Sequence, residues 1–290
     1  LGANILGSKS TAVGSGALQT QNYATATDSY NTAVGYAAGA AVTTGQYNTL
    51  IGGSSGDAIT DSDENVAVGY NSLSTNTLGN RTVAIGTGAL RDQNYTTATD
   101  SFNTAVGHAA GLSVTTGIEN TIIGGLAGDA LTDADYNVAV GAGALSADTL
   151  GSRAVAVGVF ALNEQNFTTA TDSYNTAVGM YAGRKVTTGV RNTLVGGLVG
   201  DALTDADANV AMGYHALGQD TLGSKSVAIG DSALYSQNFT TATNSFNTAV
   251  GADAGLLVTT GIQNTIVGGL AGDALTDADF NTAVGMVALS

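Results

Sequence analysis

Residues 31–35 read NTAVG, and the same phrase returns down the chain as NTLIG at 48–52, NVAVG at 65–69 and TVAIG at 82–86. A short segment ending in aliphatic–Gly occurs sixteen times, and its glycines follow one another in steps of 21, 17, 17 and 17 before the series restarts. Three 17s and one 21 sum to 72, and Gly14, Gly86, Gly158 and Gly230 mark that longer period. The chain is therefore one repeat domain, 1–290, made of four copies of a four-coil unit, with super-repeats at about 1–71, 72–143, 144–215 and 216–290.

A coil this short cannot hold a strand–helix–strand crossover, and it is too rich in β-branched residues for a helical repeat. It suits one coil of an all-β solenoid (a β-roll) of sixteen coils. Such coils stack at the strand spacing of about 4.8 Å, so sixteen would rise roughly 77 Å. The residue before the glycine is aliphatic (Val34, Ile51, Val68, Ile85), with Met212 the one case that is not β-branched. Two residues earlier stands Thr or Val, as at Thr32, Thr49, Val66 and Val83. Strand side chains alternate, so these two positions share a face. We expect that face to line the core. The residue between them then points outward, yet it is Ala12, Ala33, Leu50, Ala67, Ile122, Leu194 or Ile266 and never polar. An apolar stripe of that kind predicts a second copy covering it, in closed cyclic symmetry.

Three residues past the glycine the side chain is small in all coils but one, where it is Val199, which fits a tight turn over a narrow core. Four residues before the glycine, Asn fills twelve of sixteen coils, and Ser10, Thr82, Ala154 and Ser226 fill the rest. Stacked Asn side chains can donate and accept along a ladder.

Composition agrees. There are 41 Gly, no Pro, no Cys and no Trp, and aromatics are 6%. Proline would break a continuous ladder. Without Cys there is neither disulfide nor thiolate metal site, which suits an exported chain. A net charge of −15 disfavours nucleic acid as a partner. No apolar run nears the roughly 20 residues that insertion into a membrane as a helix needs.

The pieces NTAVGYAAG (31–39), NVAVGYNSLS (65–74), RTVAIGTGAL (81–90) and KSVAIGDSAL (225–234) resemble the head repeats of trimeric autotransporter adhesins, the YadA-like left-handed β-rolls, and similar repeats of bacteriophage tail fibres. The resemblance covers essentially the whole chain. It implies a parallel homotrimeric rod, a place on a cell-surface appendage or virion fibre, and adhesion to a cell-surface receptor or glycan. Both coil lengths found here exceed the one usual in those heads. The chain starts and stops inside the repeat, which predicts a segment that continues end to end in a longer fibre.

Two recurring elements stand out as candidate sites. The longer coil carries eight of the seventeen aromatics: Tyr23 and Tyr30, Tyr95 and Phe102, Phe167 and Tyr174, Phe239 and Phe246. They are candidates for subunit packing or ligand contact. Asn94, Asn166 and Asn238 in the same coil lie in N-x-T sequons. The second element is acidic, GDAITDSDEN and its kin. It holds Asp57, Asp61 and Asp63; Asp129, Asp133 and Asp135; Asp201, Asp205 and Asp207; Asp273, Asp277 and Asp279. Its oxygen donors suit either turn formation or calcium, the one cofactor the sequence raises. Lys9, Arg81, Arg153 and Lys225 recur once per super-repeat, and stacking predicts pairing of the last three with Asp63, Asp135 and Asp207.

Catalysis finds no pattern. His108 and His215 have no Ser, Asp or metal-ligand partner at a telling spacing, so we expect no enzyme. Two alternatives to a fibre remain on the sequence. One is an ice- or mineral-binding solenoid, for which the pairs Thr43-Thr44, Thr115-Thr116, Thr187-Thr188 and Thr259-Thr260 recur only once in four coils. The other is a tailspike that binds or cleaves polysaccharide, which would need paired carboxylates in a cleft.

Overall fold

The computed structural model describes Gly2 and residues 4–290. Among them there is no helix, and every regular element is a parallel β-strand. The chain forms two units, Leu1–Ala142 and Gly143–Ser290. Among the described residues each unit holds eight three-residue strands, one per coil, from Thr11–Val13 to Val138–Val140 and from Val155–Val157 to Thr282–Val284. The architecture is a parallel β-solenoid of about sixteen coils.

Register is strict. Val34 pairs with Ile51, Ile51 with Val68 and Val68 with Ile85. In the second unit Val178 pairs with Val195, Val195 with Met212 and Met212 with Ile229. The glycine that follows each strand is obligatory. Gly35 has φ +142°, and a β-carbon there would run into the backbone of Gly52 on the next coil.

The facing of the strand is the reverse of the sequence expectation. The middle residue is the core residue: Ala33, Leu50, Ala67, Ala84, Ala177 and Leu194 are all fully buried. The flanking Val and Ile point outward, with Ile51 39% and Ile85 37% exposed. The reason is volume. A single short coil closes on itself so tightly that three strands in four offer only an alanine methyl group to the interior, and the fourth a single Leu or Ile. The bulkier Val and Ile are left for the outside.

Leu50, Ile122, Leu194 and Ile266 are therefore core knobs, not an outer stripe. Each is matched by glycine sockets. A β-carbon at Gly56 would come within 2.8 Å of Leu50 Cδ2 and 2.9 Å of Ile59 Cδ1, and one at Gly39 would also meet the Leu50 side chain. The fourth residue past each strand glycine runs Leu18, Gly39, Gly56, Leu73 and then repeats as Leu90, Gly111, Gly128, Leu145. Leu50 fills the room left by glycine in its own coil and in the coil before, while Leu18 and Leu73 fill the coils whose strand offers only Ala12 or Ala67. This complementarity is what makes the structural period four coils rather than one.

The Asn ladder lies inside. Asn31, Asn48 and Asn65 are fully buried. Asn48 N–H donates to Asn31 Oδ1 at 2.9 Å, and Asn65 N–H to Asn48 Oδ1 at 3.0 Å. The Nδ2 groups of Asn31 and Asn48 bond the carbonyls of Gly45 at 2.7 Å and Ser62 at 2.8 Å. Every fourth coil lacks the Asn because a Gln from the longer coil reaches that spot. Gln93 Nε2 donates to Thr82 Oγ1 at 3.0 Å, and Asn103 Nδ2 donates to Gln93 Oε1 at 2.9 Å.

Candidate functional site

The outer face of the strands is the largest candidate surface. In each unit it presents two columns, Thr or Val and then Val, Ile or Met, stacked in register. Val178 is 37%, Met212 46% and Val267 37% exposed. Eight three-residue strands span about 10 Å by about 38 Å, so each unit offers roughly 400 Å² of mostly apolar sheet. That equals the largest patch a typical soluble monomer leaves bare.

Just ahead of the strand runs a second column, five residues before each glycine. Among the described residues all sixteen of these positions have positive φ, between 50° and 61°. That conformation favours Gly, Asn or Asp, and costs other residues about 1–2 kcal/mol. None of the sixteen is glycine. Seven are aromatic (Tyr30, Tyr47, Phe102, Tyr136, Tyr174, Phe246, Phe280) and seven charged (Lys9, Glu64, Arg81, Glu119, Arg153, Arg191, Lys225), leaving Ala208 and Gln263.

Neighbours in this column touch. Tyr30 stacks on Tyr47 with centroids 5.5 Å apart. Lys9 bonds Tyr30 Oη at 2.8 Å and Asp28 at 2.7 Å. Arg81 lies over Phe102 and bridges Glu64, at 3.2 Å, and Asp100. Arg153 pairs with Asp172 and lies over Tyr174. For Arg81 and Lys225 the expected side-chain pairing needs correction, since each bonds its Asp through the backbone. Arg81 N–H does bond the Asp63 carbonyl, but the Asp63 side chain turns away to accept Gln46 N–H at 2.7 Å. Likewise Asp207 accepts Val190 N–H at 2.8 Å with its side chain. Asp28, Asp100 and Asp172, which pair with Lys9, Arg81 and Arg153, all come from the short further strand of the longer coil, Thr27–Asp28, Thr99–Asp100 and Thr171–Asp172.

The eight aromatics of the longer coils divide into two classes. Tyr23, Tyr95, Phe167 and Phe239 are core, no more than 6% exposed. Tyr95 Oη donates to Gly117 O at 2.8 Å, and burial raises its pKa. As ligand contacts these four are excluded, since the extra length of the coil curls the ring back over the coil end. Tyr30, Phe102, Tyr174 and Phe246 are 46–54% exposed and belong to the outer column. Tyr47, Tyr136 and Phe280 complete that column and escaped the sequence reading, although each directly precedes a ladder Asn.

The acidic elements act as ties between coils. Asp61 accepts Thr44 Oγ1, Asp133 accepts Thr116 Oγ1 at 2.6 Å and Asp205 accepts Thr188 Oγ1 at 2.7 Å. Asp279 accepts Ile262 N–H at 2.8 Å. Asp57, Asp129 and Asp201 lie against the coil surface, where burial raises each pKa. Asp57, Asp129 and Asp273 each keep one buried oxygen without a hydrogen-bond partner. Among the described residues no three acidic or imidazole side chains gather as a metal-binding group. The Asp61, Asp133, Asp205 and Asp279 side chains accept from the preceding coil, a structural role in holding coil to coil.

Threonine is more regular than the sequence reading allowed. Eight residues past the glycine, Thr43, Thr60 and Thr77 follow one another before Asn94 interrupts. Their hydroxyls are bonded into the next coil, to Thr60 O at 3.1 Å, Thr77 O at 3.1 Å and Asn94 Oδ1 at 2.7 Å. Their donors are thus committed within the protein. A cleft of about 280 Å³ lies between Tyr70, Arg91 and His108, and no carboxylate lines it. It lacks the acid pair that glycoside hydrolysis requires.

In the second unit two carboxylates are interior, Asp148 and its counterpart Asp220. Asp148 accepts Gln165 Nε2 at 2.6 Å, Gly151 N–H at 3.0 Å and Phe167 N–H at 3.1 Å. Burial nevertheless raises its pKa. Set against known proteins, the chain matches no family model and no curated relative.

Proposed function

We propose that this chain is a non-enzymatic structural segment of an extracellular fibre or adhesin, on a cell surface or a virion, which works as a parallel homotrimer. The observation that carries the reading is the outward Val/Ile/Thr sheet face. A surface of stacked β-branched side chains, present in both units, gains most from a self-complementary neighbour. Cyclic symmetry lets three copies turn that face toward one axis while every copy keeps the same environment. The strained column of aromatic and charged residues borders the face, where it can meet an adjoining subunit and fix axial position.

Light scattering after size exclusion tests this. Three chains of 28.5 kDa give about 86 kDa. Ile85→Glu with Val178→Glu places charges in the face of each unit, and the expected outcome is a shift to the 28.5 kDa species. A wild-type chain that runs as a monomer at micromolar concentration, or a charged variant that keeps the wild-type mass, removes the proposal.

A further inference from the structure

The four super-repeats are close copies, and their most conspicuous departure from one another lies on a single surface of the second unit. Two residues past the strand glycine, the backbone is again left-handed in every coil, and the first super-repeat fills the position with Gly16, Ala37, Ser54 and Asn71. The third fills it with Phe160, Tyr181, Leu198 and His215, at φ 55°, 59°, 55° and 55°. Bulky residues are being held where small ones suffice for folding.

These side chains are organised. Phe160 and Tyr181 stack with parallel rings 5.7 Å apart, and Arg184 lies 5.3 Å from the centre of the Tyr181 ring. His215 sits edge-on between Tyr214, at 4.2 Å, and Tyr235, at 5.6 Å. Tyr214 remains 55% exposed. Arg184 differs from Arg81, Arg91 and Arg153, which all have carboxylate partners. Among the described residues its guanidinium has none, and its Nε is buried without an acceptor. The corresponding residues elsewhere are Ala40, Leu112 and Leu256, so the fold does not need it.

Charge points the same way. The chain has eight Lys and Arg against 23 Asp and Glu, yet Arg184, Lys185 and Arg191 fall within one coil. Arg184, Lys185 and His215 all act on Asp201, the local carboxylate, whose counterparts Asp57, Asp129 and Asp273 have no such company. A held guanidinium with no direct salt bridge, set with Lys185 against the single carboxylate of Asp201, suits a further oxyanion. The exposed Tyr214 ring, packed on the His215 that shares Asp201 with Arg184, suits a flat apolar face.

We propose that this surface binds acidic polysaccharide, with Arg184 and Lys185 meeting its carboxylate or sulfate groups and Tyr214 meeting the face of a sugar ring. The proposal adds a ligand class to the fibre reading, on which its biological sense rests, but the site lies within one unit of one chain.

Isothermal titration of the full chain with oligogalacturonate, a sulfated oligosaccharide and a neutral cello-oligosaccharide tests it. The acidic arms separate carboxylate from sulfate as the favoured group. Binding of at least one acidic arm in preference to the neutral one is expected. Arg184→Ala and Tyr214→Ala should each weaken it about tenfold or more. Lys225→Ala, an equal change of charge in the other column, should leave it intact. Wild-type melting temperatures for the variants would show that they fold. No binding of either acidic sugar at millimolar concentration, equal binding of the neutral one, or unchanged affinity in both Arg184→Ala and Tyr214→Ala overturns the proposal. Particle mass measured on the same samples keeps the two readings apart: a monomer that binds acidic sugar defeats only the trimer, and a trimer that does not bind defeats only the site.

Discussion

Asn48 makes bonds in three directions at once: its Oδ1 takes the Asn65 N–H, its Nδ2 gives to Ser62 O, and its own N–H gives to Asn31 Oδ1. Alanine there would strand a buried N–H and a buried carbonyl. Asn48→Ala should cost about 1–3 kcal/mol, read as a lower denaturant midpoint. Asp148 offers a sharper test. Gln165 Nε2 donates to it, and Ala154 stands where Thr82 and Ser226 offer hydroxyls in other copies. In the fourth copy Gln237 donates to both Asp220, at 2.5 Å, and Ser226, at 2.8 Å. Asp148→Asn should therefore cost about 1–3 kcal/mol, with Ala154→Ser restoring much of it, while Asp220→Asn should be nearly neutral. The pH dependence follows from the raised pKa of Asp148. A folded pKa above the unfolded one means that the folded chain holds the extra proton between the two. Stability from this group thus rises as pH falls through the folded pKa and levels off below the unfolded value. The pair Asp148→Asn with Ala154→Ser should flatten that part of the melting profile in weak acid.

At the scale of the coil, the knob and its sockets set the period. Gly56→Ala should cost about 1–3 kcal/mol, from its φ of 55° and its collision with Leu50. Leu50→Ala in the same chain should relieve the collision, so a double-mutant cycle should show favourable coupling. Deleting 53–69 removes one of the shorter coils and brings Leu73 into the socket of Leu50, whereas deleting 53–124 removes one full super-repeat and keeps every knob beside a glycine. The shorter deletion should unfold at lower denaturant than the longer, despite its smaller loss. The stacking, the glycine spacing and the buried Asn ladder could all be read from periodicity, because backbone pairing imposes it directly. Which face of a three-residue strand turns inward could not, since Thr-Ala-Val is apolar on both sides. Only the space inside a closed coil decides it, and that space depends on Gly39 and Gly56, outside the strand itself. The candidate site divided likewise. Tyr30 and Tyr23 look alike in sequence, but one follows a corner into solvent and the other folds over the coil end.

For the molecule as a whole, the locality of its bonds has a kinetic meaning. Its hydrogen-bond partners lie mostly one coil apart along the chain, and a separation near 17 in a chain of 290 is a relative contact order of about 0.06. Sheet proteins ordinarily fold slowly because distant strands must find each other. Here each new coil has only its predecessor to find, so growth can proceed like the closing of a zip from any formed pair of coils, even while the ribosome is still adding residues. With no proline to isomerise and no cysteine to oxidise, neither of the familiar slow steps stands in its way.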